Sequence, residues 1–120
     1  MTEIQNTKRY DLEERTLKFA RNVVNFVNAL PKTVASVEIM KQVVRSSGSV
    51  GANYIEANEA LSKKDFAMRI KICRKEAKES RYWLNLLETK VEDSENKRQS
   101  LINEATELMK IFGAIVEKVK

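Results

Sequence analysis

Histidine is absent from this 120-residue chain, and that absence excludes more chemistry than any residue present suggests. Zinc sites built on Cys and His have no ligand set, and the Glu-x-x-His pairs of di-iron bundles are missing. Ser–His and Cys–His nucleophile pairs cannot form within one chain, nor can ribonuclease chemistry that relies on histidine. The single cysteine, Cys73, cannot close an internal disulfide; its place on a helix seam reads as a small buried hydrophobe rather than a reactive thiol. Three glycines and one proline argue against a turn-rich β fold. No apolar run approaches the ~20 residues of a membrane span, and the opening MTEIQNTKRY lacks a signal-peptide core. The expectation is a soluble, cytoplasmic protein that needs no metal or cofactor.

What is present is helical periodicity. Apolar or small residues recur at alternating spacings of three and four: Leu12, Thr16, Phe19, Val23, Phe26, Leu30; then Met40, Val43, Ser47, Val50, Tyr54, Ala57, Leu61. The same spacing follows at Phe66, Ile70, Cys73, Ala77, Ser80, Leu84, Leu87, Val91, and again at Leu101, Ala105, Leu108, Phe112, Ile115, Val119. Such a seam is the mark of coiled-coil packing. It predicts helices over about 11–30, 35–61, 63–91 and 94–119, behind a polar, frayed tail at 1–9. Pro31 ends the first helix, and Ser62 with Asp65 three residues on starts the third. The short connections predict an all-α, up-down-up-down, left-handed four-helix bundle forming one domain over 10–120.

Second apolar lines widen these seams: Leu17, Ala20, Val24, Val27 on the first helix and Val37, Val44, Gly48, Gly51, Ile55 on the second. With Ile72, Trp83 and Leu86 on the third helix they exceed what one bundle core requires. Leu17, Val24, Val44, Gly51, Ile55, Ile72, Trp83 and Leu86 are therefore the candidate interface of a homo-oligomer. Two glycines inside one helix call for a reason, and close approach of another helix supplies one. Alternatively the helix breaks near Ser46–Gly48. The rival reading of Gly48–Gly51 as a phosphate loop lacks the Gly-Lys-Ser/Thr ending and a preceding strand.

Charge is concentrated on one element. Residues 62–91 hold nine basic side chains (63, 64, 69, 71, 74, 75, 78, 81, 90) and four acidic ones (65, 76, 79, 88). The remaining 13 basic and 13 acidic residues cancel, so this segment alone carries the net charge of +5. Lys64, Lys71, Arg74, Lys78 and Arg81, with Lys75 beside them, fall on one flank of the third helix. A stripe of about 25 Å at ~1.5 Å per residue can follow several phosphates of a nucleic acid; the bland alternative is a solvated face. Lys97, Arg98 and Lys110 on the fourth helix are expected to be bystanders. The polar cluster Asn53, Glu56, Asn58 and Glu59, and the pair Glu76 and Glu79, offer metal or acid–base chemistry on one reading and interhelical ion pairs with Arg45, Arg69 or Lys63 on the other. The second reading is favoured, because no other ligand type accompanies the carboxylates.

The segment RSSGSVGANYIEANEALSKKDFAMRIKICRKEAKESRYWLNLL, preceded by ERTLKFARNVVNFVNALPK, resembles the four-helix bundle family of 23S ribosomal RNA intervening-sequence proteins. It is also similar to the accessory variability determinant of diversity-generating retroelements. The likeness spans about residues 10–90 and rests on ANY-x-EA, S-x-x-DF, KEA-x-ES and YWL-x-LL; the fourth helix matches in pattern alone. The resemblance implies a ring of five subunits with a basic, nucleic-acid-associated surface and no catalytic residues. Ser47-Gly48 stands where the family pattern has Ala-Thr, which shifts the close-packing expectation onto Gly51.

These observations lead to a non-enzymatic, oligomeric bundle that binds nucleic acid, structured RNA or an RNA–protein complex, through the third helix. The rival is an adaptor whose basic face docks an acidic protein partner; a carboxylate–metal hydrolase is a third reading.

Overall fold

The computed structural model describes residues 2–119, with side chains described over 11–119. Four helices run in sequence: α1 (Thr2–Asn28), α2 (Val34–Asn58), α3 (Lys63–Leu86) and α4 (Glu92–Lys118). Each packs against its neighbours in the chain, α4 closes back on α1, and the molecule measures 47 × 23 × 19 Å. Consecutive helices are antiparallel, as their cross-links show: Asn58 of α2 bonds Glu13 of α1 at 2.9 Å, Arg69 of α3 bonds Asn53 of α2 at 3.0 Å, and Arg81 of α3 bonds Thr106 of α4 at 3.4 Å. The fold is an all-α four-helix bundle. Among the described residues no helix is long and apolar enough to cross a membrane.

The seams form the core. Phe19, Val23, Val43, Val50, Ile70, Cys73, Ala77, Leu84, Leu108 and Phe112 are all buried, and Tyr54 meets Phe112 across the bundle with ring centroids 5.8 Å apart. Burial pushes the Cys73 thiol up from its ordinary value near 9 to about 12, so at neutral pH it is an uncharged packing group. Where α2 meets α3 the seam residues are small. The buried Ser46 and Ser80 hydroxyls share a 2.8 Å hydrogen bond, and Ser80 donates back to the Glu76 carbonyl at 2.8 Å. Hydroxyls satisfied in this way add little burial cost, and their size lets the two backbones approach.

Helix ends show where periodicity misleads. The tail expected at 1–9 is helical backbone from Thr2 onward; Met1 and the side chains of 2–10 lie outside the described residues. That segment contains neither Gly nor Pro, so local propensity does not oppose helix. Leu61 and Val91, assigned to seams, stand beyond the ends of α2 and α3 and are 98% and 61% exposed. Ser62 caps α3 by accepting from the Asp65 N–H at 3.0 Å, which requires extended backbone at Ser62 and so ends the preceding helix earlier. Thr33 and Ser36 form a reciprocal capping box at the start of α2. Through Ser46, Ser47 and Gly48 the α2 helix continues unbroken.

Candidate nucleic-acid interface

The third helix presents three sectors, as its charge pattern requires. Its seam is buried, one flank borders α2, and the other carries the cations. Lys64, Lys71, Arg74, Lys75 and Lys78 are exposed, and Arg81 is half-buried. Two arginines rim the groove with α4. Arg81 donates to Thr106 Oγ1, and the Arg74 side chain lies 3.8 Å from where a Cβ on Gly113 would stand. The lysines stand outward from them.

The pairing of these charges separates this flank from three cations of α4, although Lys18 and Arg21 on α1 likewise make no ion pair among the described residues. Of its six cations, Lys75 alone meets a carboxylate, Glu79 at 4.0 Å; the other five have no ion pair among the described residues. On α4, by contrast, Lys97, Arg98 and Lys110 each face a carboxylate: Asp93, Glu95 and Glu107. Unpaired cations along one helix repel one another, and Lys63 and Lys64 sit at its positive end, where the helix dipole disfavours them. The arrangement subtracts from stability and builds a positive field.

Of the carboxylates expected to pair across helices, Glu76 and Glu79 do, while Glu56 and Glu59 make no ion pair among the described residues. Arg45 of α2 approaches Glu76 Oε1 at 3.4 Å and Glu79 Oε1 at 3.7 Å, and Asn53 accepts from Arg69. No group of three or more His, Cys, Asp or Glu side chains suited to a metal ion occurs among the described residues.

The apolar candidates divide. Leu17 and Val24 on α1, and Val44 and Ile55 on α2, are 54%, 38%, 38% and 50% exposed, flanking the line where α1 meets α2. Gly51 does not share that outward role: an added Cβ there would lie 2.9 Å from Thr16 Oγ1, so Gly51 is the close-approach point of α2 on α1. Gly48 has nothing within 4 Å of an added Cβ. Ile72 and Trp83 are half-buried, and Leu86 is 47% exposed. Trp83 packs against the core, and its indole N–H is buried without an acceptor.

Two residues matter more than their sequence positions suggested. Arg98, expected to be a bystander, donates to the Leu84 carbonyl at 2.9 Å and the Asn85 carbonyl at 3.5 Å at the end of α3, while also holding Glu95. No charge pattern signals this, because the contact spans a turn between helices. Tyr82 is 60% exposed on the cationic flank, four residues after Lys78 and seven after Lys75. Its spacing from those lysines was the available signal, hidden beside the larger Trp83.

The fold and the site together define a four-helix bundle with one cationic helix face. The chain matches the family model of the 23S rRNA-intervening sequence protein over residues 8–114, and it belongs to that family. It is also similar to a crystal structure from Bacteroides thetaiotaomicron, described as a protein of unknown function from the S23 ribosomal protein family. The two are 33% identical with a TM-score of 0.78, over 92% of this chain and 98% of that one. Comparison with curated proteins gives no match.

Proposed function

We propose that this protein is a non-enzymatic, self-associating bundle of the cytoplasm that binds nucleic acid, structured RNA or an RNA–protein complex, through Lys64, Lys71, Arg74, Lys75, Lys78 and Arg81. The observation that carries the reading is the row of cations on α3, five of the six without an ion pair, beside Lys97, Arg98 and Lys110 of α4, each of which faces a carboxylate. The family's name, which refers to an rRNA element, agrees with it. Self-association rests on the exposed strip of Leu17, Val24, Val44 and Ile55, and five subunits in a ring are what the family resemblance implies. Repeating the cationic face around a ring multiplies a modest single-site attraction through avidity. The test is titration with a structured RNA at two salt concentrations. Binding that weakens steeply with salt is expected, since neutralised phosphates release counterions. Retention of an acidic protein without affinity for RNA at moderate salt overturns the reading in favour of the adaptor.

A further inference from the structure

Resting on that reading, we infer that the α3 face takes an unpaired stretch of RNA, with one base stacked on Tyr82 and the flanking phosphates on Lys71, Lys75 and Lys78. These residues are spaced by three or four, so they line one side of the helix at about one per ~5.4 Å turn. The line contains a single aromatic. Tyr82 is 60% exposed at its end, and its hydroxyl makes no hydrogen bond among the described residues.

The ring is also held. Tyr82 and Trp83 meet edge to face, with centroids 5.0 Å apart and planes at 78°, and Trp83 is itself packed against the core. An exposed aromatic that already has a fixed neighbour loses less freedom when a base stacks on it. Cations that track the backbone, next to an aromatic that accepts a base face, are the two components of single-strand recognition. A duplex satisfies only the first, because its base faces are covered within the stack. The inference therefore selects loops, bulges or ends of a structured RNA over its paired stems.

The experiment measures fluorescence anisotropy of a labelled single-stranded oligouridylate and of an RNA duplex of equal length, at matched salt. The proteins are wild type, Tyr82→Ala, Tyr82→Phe and the triple K71E/R74E/K78E, each checked for helicity by circular dichroism. Tyr82→Ala is expected to weaken the single strand roughly 5- to 150-fold, equivalent to ~1–3 kcal/mol per stacked base. It should leave duplex binding and the salt slope unchanged, while Tyr82→Phe binds like wild type. The triple weakens both ligands and flattens the slope. If Tyr82→Ala weakens neither ligand, or both equally, while wild type still binds with a salt slope, the stacking inference is overturned and the nucleic-acid reading stands. If wild type binds neither ligand, both fall.

Discussion

At Gly51 an added Cβ would sit 2.9 Å from Thr16 Oγ1 and 3.2 Å from Thr16 Cβ, on a buried, β-branched side chain whose hydroxyl already donates to the Leu12 carbonyl at 2.8 Å. Thr16 cannot swing aside without losing that bond. Gly51→Ala should therefore destabilise the bundle by about 1–3 kcal/mol, the usual cost of overpacking. Gly48→Ala meets open space in the middle of a helix and should stabilise by roughly 1 kcal/mol. Urea midpoints at one fixed protein concentration should move in opposite directions for the two variants; movement in the same direction would show that the Thr16 contact does not limit the packing. The seam pattern placed both glycines on one outward line. Periodicity reports which side of a helix a residue occupies, whereas the contact at 2.9 Å that Gly51 has and the open space within 4 Å of Gly48 depend on where α1 lies.

Among the elements, the α3–α4 connection is tied back to α3 by Arg98. Arg98 satisfies carbonyls that α3 leaves open at its C-terminus, and its bond to Glu95, with a second from Thr89, holds the Glu95 carboxyl below its usual range. Arg98→Ala should cost about 1–3 kcal/mol, as expected when a charged donor leaves partly buried acceptors. The sign of the pH effect follows from the depressed value. The Glu95 contribution is present in full above its unfolded pKa and is lost as pH falls through the lower folded one. The gap between thermal melts of wild type and Arg98→Ala should narrow as pH drops below the ordinary carboxylate range, leaving the part due to the Leu84 and Asn85 carbonyls; a gap that stays constant would show that the Arg98–Glu95 pair adds nothing. Four helices and their antiparallel order were legible because Ser62, Pro31 and the seams are local signals. The early ends of α2 and α3 were not. Leu61 and Val91 continue the apolar pattern after the backbone has turned, and caps such as Ser62 and Arg98 decide the boundary instead. Each family motif except S-x-x-DF contributes packing residues, with Tyr54, Ala57, Ala77, Ser80 and Leu84 all buried, which is why the fold was easier to read than the site.

At the scale of the whole molecule, two surfaces ask for a partner: the apolar strip along α1 and α2, and the cationic flank of α3. Leu17 and Ile55 are about half exposed, so Leu17→Asp with Ile55→Asp should leave helicity intact while reducing the mass seen by light scattering to the 13.8 kDa of one chain. Wild type behaving as a 13.8 kDa species at micromolar concentration would contradict self-association. RNA binding by the cationic flank of α3 is tested by charge reversal. Lys71, Arg74 and Lys78 are exposed and free of carboxylates, so changing all three to Glu should spare the fold, at within ~0.5 kcal/mol per surface site. Arg98 cannot serve in the control set, because it closes α3; Lys18, Lys41 and Lys97 are exposed on other faces and can. The decisive measurement is RNA affinity against salt for wild type and the two triple variants. Loss of three phosphate contacts should make the log–log slope shallower by roughly 2, at ~0.7 per single-strand phosphate, for K71E/R74E/K78E but not for K18E/K41E/K97E. Equal behaviour of the two triples would contradict the claim and reduce the α3 face to ordinary solvated surface.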